Sequence, residues 1–131
     1  MSAARTEDRT GGAADRTVRV ALLGCGTVGS QVVRLLREHA DDLAARSGAR
    51  LDLVGIAVRD TAADREPWVP RELLTDDAQG LVRRADVVIE LVGGNEPART
   101  LVLTALGAGA SVVTGNKALL AAHGPELHAA A

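Results

Sequence analysis

The chain has 131 residues, 47% of them hydrophobic, enough for one packed domain and too few for a second. With 15 basic and 17 acidic side chains the net charge is -2 and no basic stripe forms, which excludes a nucleic-acid backbone as partner; the 1% of aromatic residues, Trp68 alone, leaves no platform for stacking bases. No apolar run reaches bilayer length and the lone Cys25 cannot close an internal disulfide, so the expectation is a cytoplasmic domain without membrane contact.

Residues 1–17, "MSAARTEDRTGGAADRT", lack the apolar core of a secretory signal and carry acids that a transit peptide avoids. They read as a disordered tail before a folded domain at 18–131. "VRVALL", Val18 to Leu23, is a short apolar run stopped by glycine, which suits a strand buried on both faces. Val28, Val32, Leu35, Leu36, His39 and Leu43 then recur at helical spacing, predicting one helix with that stripe toward a sheet and an end near Ser47-Gly48. "LDLVGIAV", Leu51 to Val58, is a second strand and completes a right-handed βαβ unit. "RDTAADREPWVPRE" is polar and contains Pro67 and Pro70, the marks of a surface loop.

Leu73-Leu74-Thr75 predicts a very short strand, and Asp76 or Asp77 caps a short helix through Arg84. "DVVIELV", Asp86 to Val92, is a strand ending at Gly93-Gly94, and Asn95 or Glu96 before Pro97 starts a helix that runs out at Gly107 and Gly109. "SVVT", Ser111 to Thr114, is a last strand; Asn116 caps a helix expected to break at Gly124-Pro125. Nearly all-apolar strands alternating with helices predict an α/β fold, a doubly wound parallel sheet with helices on both faces.

Gly24, Gly26 and Gly29 fall between the first strand and its helix. In a Rossmann-type sheet that spacing serves a dinucleotide. The first glycine permits the tight turn, the second lets a pyrophosphate approach the backbone, and the third lets helix and strand pack closely. Amides near Thr27 and Val28 then point at the phosphates, reinforced by the helix dipole. A sharp strand-to-helix connection without a ligand is the bland alternative, and the βαβ context favours the dinucleotide. At the end of the second strand Arg59 precedes Asp60; an arginine there accepts the 2′-phosphate of NADP and an acid grips the ribose of NAD, so NADP is expected, with NAD the competitor.

Glu90 interrupts an apolar strand and needs a partner, with a hydrogen bond to neighbouring backbone favoured over a ligand role. Lys117 follows the expected cap Asn116, where the helix dipole disfavours a cation; either something anionic or polar lies nearby or an exposed lysine is tolerated at small cost. Cys25 reads as a filler of the glycine turn because no histidine is spaced to activate it. No metal-ligand spacing is present.

"VALLGCGTVGSQVV", "ELVGGNEPA" and "VVTGNKALLA", in that order, with "WVPRELLTDD" between, resemble the nucleotide-binding region of homoserine dehydrogenase from about Val18 onward. The resemblance implies reversible reduction of aspartate 4-semialdehyde to homoserine with NAD(P)H, in threonine and methionine biosynthesis. It assigns the cofactor phosphates to Gly24, Cys25, Gly26, Thr27, Val28 and Gly29, the NADP phosphate to Arg59, and a place beside nicotinamide and substrate to Lys117, the catalytic candidate. Gly93, on the same rim, joins the cofactor-binding set. Gly115 stands where alanine is usual. Family members continue into a substrate domain before completing the sheet, so the expectation is a truncated part with an incomplete sheet, little turnover alone, and homo-oligomerisation of the full-length enzyme. The alternatives are a stand-alone nucleotide-binding module and another amino-acid dehydrogenase such as aspartate dehydrogenase, against which "TGNKALLA" argues.

Overall fold

Alternation in the first strand decides the layering. Val20 and Leu22 point to one side, Ala21 and Leu23 to the other, and none is more than 2% exposed, so both faces of the sheet must be covered. The computed structural model describes residues 16–114 and 117–130. In chain order the elements are β1 (Thr17–Leu23), α1 (Thr27–Glu38), α2 (Ala40–Ser47), β2 (Arg50–Ala57), β3 (Leu74–Thr75), α3 (Ala78–Arg83), β4 (Val87–Glu90), α4 (Ala98–Gly107), β5 (Ser111–Thr114) and α5 (Lys117–Ala130).

The five strands are parallel in the order β3-β2-β1-β4-β5. β1 pairs with β2 from Thr17↔Arg50 to Leu23↔Ala57 and with β4 from Val20↔Val87 to Leu23↔Glu90. The strand order therefore reverses at β1, and the crevice between the exits of β1 and β4 is the topological switch point where open α/β sheets take their ligands. On one face Val20, Leu22, Leu53 and Ile56 pack against Val33 and Leu36 of α1 and against Val69. On the other, Ala21, Leu23 and Val88 meet Leu81 and Val82 of α3 and Leu101 and Ala105 of α4. Helices cover both faces, as expected of a doubly wound sheet. Among the described residues the sheet has five strands, and Val113 of β5 is 58% exposed.

Most elements fall where the sequence put them. Asp77 caps α3, its Oδ1 accepting from the Gly80 N–H at 3.1 Å, and the short strand at Leu74–Thr75 pairs with Ile56 and Ala57. Two helices differ. The expected single helix divides at His39, and α1 turns Gly29, Ser30, Val33 and Leu36 inward while Val28 and Leu35 are 62% and 49% exposed. Each residue advances the helix by about 100°, so seating Gly29 against the strand swings Val28 outward. The glycine contact, rather than the apolar count, fixes the phase. α5 also runs through Gly124-Pro125 without the expected break. Beyond the proline, Leu127 packs on Ala98 and Val102 and Glu126 accepts from Arg99 Nε at 2.7 Å, contacts that hold the last turns against the lost backbone bond.

Candidate functional site

The turn after β1 gives its three glycines different work. Gly24 has φ +94°, where an added Cβ would also stand 3.2 Å from the Leu91 carbonyl oxygen, and its N–H donates to Ala57 O at 2.8 Å. A Cβ on Gly29 would lie 2.8 Å from Gly24 O, whereas one on Gly26 would meet nothing within 4 Å. Two glycines are thus required by the protein's own packing, and the third faces open space.

α1 starts at this opening with no side-chain cap. Its first amide bonded back along the helix is that of Ser30, to Gly26 O at 2.9 Å, so the N–H groups of Thr27, Val28 and Gly29 have no partner within the helix. Uncapped amides at the positive end of a helix dipole attract an anion. They stand at the carboxyl rim of the sheet.

A cavity of about 1000 Å³ occupies the rim, walled by Gly24, Cys25 and Gly26, by Arg59 and Asp60 after β2, by Leu91 and Val92 after β4, and by Thr100 of α4. Thr27 lines a smaller recess of about 350 Å³ beside it; Val28 lines neither. Cys25 is 8% exposed with its Sγ 3.9 Å from Ser30 Oγ.

Glu90 is fully buried at the end of β4. Its Oε2 accepts from the N–H groups of Val92 at 2.8 Å and Gly93 at 3.3 Å, and its Oε1 from Thr114 Oγ1 at 2.5 Å. The backbone partner expected for it is present, joined by a hydroxyl from β5. Gly93 and Gly94 have φ +85° and +72°, the left-handed turn that folds these amides back onto the carboxylate. Gly93 spends its N–H there and does not line the cavity. Beyond, Glu96 accepts from Thr100 N–H at 3.1 Å and Thr100 Oγ1 at 2.8 Å, and the Thr100 hydroxyl in particular holds its carboxyl below the usual range.

Lys117 opens α5 past the exit of β5, on the same rim. Its side chain, like Gly115 and the expected cap Asn116, lies outside the described residues. Among the described residues no cluster of metal-ligating side chains occurs, and no helix is long and apolar enough to cross a membrane.

Two residues of the loop after β2 were not singled out as part of the site. Arg65 Nη1 donates to Cys25 O at 3.2 Å and its Nη2 to Asp60 O at 2.7 Å, tying the glycine turn to the exit of β2. Trp68 Nε1 donates to Ser30 O at 2.7 Å, and Arg34 lies 4.8 Å over its ring. The loop read as surface is docked on α1. A polar composition carries no signal of such long-range bonds; the one tryptophan in a chain with no Phe or Tyr is the signal that could have marked an anchor.

Residues 24–131 match the family model described as homoserine dehydrogenase, NAD binding domain. The homoserine dehydrogenase of Corynebacterium glutamicum is 55% identical over 116 residues, which are 87% of this chain and 26% of that protein. The crystal structure of a homoserine dehydrogenase from Thiobacillus denitrificans superposes with a TM-score of 0.80 at 39% identity, over 88% of this chain and 27% of the other. A hyperthermophilic archaeal homoserine dehydrogenase in complex with NADPH gives 0.68 at 23% identity, covering 87% and 40%, a likeness of fold alone. The chain thus spans about a quarter of the length of the curated relative, 26%.

Proposed function

Because this chain belongs to the homoserine dehydrogenase family by its NAD-binding domain, we propose that it is the coenzyme-holding part, residues 18–131, of an enzyme interconverting L-homoserine and L-aspartate 4-semialdehyde. The observation that carries the reading is the open side of Gly26, between two glycines that packing requires, at the switch point of the sheet. The rim fits a nicotinamide dinucleotide. Uncapped amides of Thr27 and Val28 and the bare backbone of Gly26 suit its diphosphate, and Arg59 at the exit of β2 suits a 2′-phosphate.

When bound, the nicotinamide carries the hydride exchanged with the substrate carbon. This chain's residues hold and orient it. The amides of α1 fix the phosphates without protein reorganisation, and Glu90 holds the Leu91–Gly94 turn beside the crevice through the Val92 and Gly93 amides. Lys117, at the head of α5, supplies a cation beside nicotinamide and substrate in this proposal. Reaction also requires the aldehyde carbon to be aligned and its oxygen protonated, tasks that fall to the portion its relatives carry beyond the quarter matched here.

We assign NADP as the preferred coenzyme, on Arg59. Calorimetric titration of the purified chain with NADP and with NAD tests this directly. NADP is expected to bind more tightly, and Arg59→Ala to weaken NADP by roughly tenfold or more, the worth of a charged hydrogen bond. Failure of both nucleotides to bind would overturn the reading, and an unchanged NADP affinity would remove Arg59 from the site.

A further inference from the structure

We propose that Arg65, in the loop between β2 and β3, is a second coenzyme-discriminating residue whose guanidinium meets the 2′-phosphate of NADP; this rests on the nucleotide-binding reading above. A guanidinium has five N–H donors, and the bonds to Cys25 O and Asp60 O engage Nη1 and Nη2. Both acceptors are neutral carbonyls, so they orient the group without neutralising it. The Nε atom is buried and has no hydrogen-bond partner. Like Arg59, Arg65 forms no ion pair among the described residues, so its charge is not neutralised by a carboxylate of the fold.

Its position gives that charge a use. The two carbonyls belong to the exits of β1 and β2, and Arg65 lines both the main cavity and the smaller recess. In a doubly wound sheet the ribose of the adenosine half meets the end of the second strand, so a phosphate on that ribose arrives between these exits. Of the carboxylates lining the cavity, Asp77 caps α3 and Asp60 accepts from Ala62 N–H, while Asp76 belongs to the β3–α3 connection. Arg71 braces the same loop through Thr61 O and Ala63 O but does not line the cavity. Among the described residues, Arg59 and Arg65 are the cations that do.

NAD carries the diphosphate without the 2′-phosphate, so the ratio of the two affinities separates a discriminating charge from a loop clamp. Calorimetric titrations with NADP and NAD are made on the wild-type chain, Arg65→Gln, which keeps N–H donors without charge, and Arg65→Lys, which keeps charge without the planar fork, each checked by circular dichroism. Arg65→Gln is expected to lower NADP affinity by roughly 10- to 100-fold and to leave NAD within about 2-fold, and Arg65→Lys to retain most of the NADP preference. An equal loss for both coenzymes, or an unchanged NADP affinity, overturns the proposal. Should Arg65→Gln fail to fold, loss of the preference in Arg65→Lys overturns it and retention supports it. A wild-type chain that binds neither coenzyme refutes the nucleotide-binding reading and this inference with it.

Discussion

Replacing Gly26 by alanine separates what the glycine turn does for the protein from what it does for a ligand. An added Cβ meets no atom within 4 Å, and the residue already has an extended backbone at φ -82°, so the free protein gives the methyl group room. Removing a glycine's freedom from the unfolded chain stabilises by about 0.4–1 kcal/mol, or a few degrees in Tm, about 2–6 °C for a domain this size. A diphosphate lying against the same backbone has no such room. Forcing a methyl group into a filled contact costs about 1–3 kcal/mol, which is roughly a 5- to 150-fold rise in Kd. Thermal denaturation followed by circular dichroism, with calorimetric titration of NADP, reads both quantities on one sample. A variant that melts at or above the wild type and binds NADP equally well would refute the reasoning, because the open side of Gly26 would then face no ligand.

Gly29→Ala is the structural counterpart: its Cβ would stand 2.8 Å from Gly24 O, and the clash outweighs the helix-propensity gain, for a net loss of about 1–2 kcal/mol in urea denaturation. Glu90→Ala abandons the Val92 and Gly93 amides and the Thr114 hydroxyl and should cost about 2–4 kcal/mol in the same assay. Glu90→Gln, whose oxygen still accepts and whose amide donates to Thr114, should cost less than about 1 kcal/mol. Trp68→Ala removes the bond to Ser30 O and the ring under Arg34 and should lose about 2 kcal/mol, followed by circular dichroism because no other tryptophan remains. Hydrogen bonds from the Arg19 guanidinium and backbone N–H hold the Asp86 carboxyl below its ordinary value of 3.8. Its contribution is therefore present above the ordinary value and lost as pH falls through the lowered one. In thermal melts from neutral to strongly acid pH, Asp86→Asn should flatten the acid side, by a small amount because the pair is exposed.

The elements were legible because each rests on a local pattern. Apolar runs stopped by glycine marked β1 and β4, the pair Asp76-Asp77 before a short apolar stretch marked the cap of α3, and the spacing of Gly24, Gly26 and Gly29 marked the turn. Even the burial of Glu90 was readable, since a lone acid inside an apolar strand implies a partner. The helix stripes were less legible. Val28 and Leu35 fit the apolar spacing as well as Val33 and Leu36 do, and only the approach of Gly29 to Gly24 decides which set turns inward.

What this sequence determined by itself is the parallel α/β class, the order of its elements along the chain, and a glycine-spaced turn from strand to helix, all of which depend on residues a few positions apart. The tertiary structure alone decided that β4 adds beside β1 and opens the switch point there, that Thr114 completes the bonding of Glu90 across 24 residues, and that Arg65 reaches Cys25 across 40. Such contacts depend on which distant segments the folded core brings together. Neighbouring residues carry no record of that choice, because the selecting energy arises only when both faces of the sheet are covered at once.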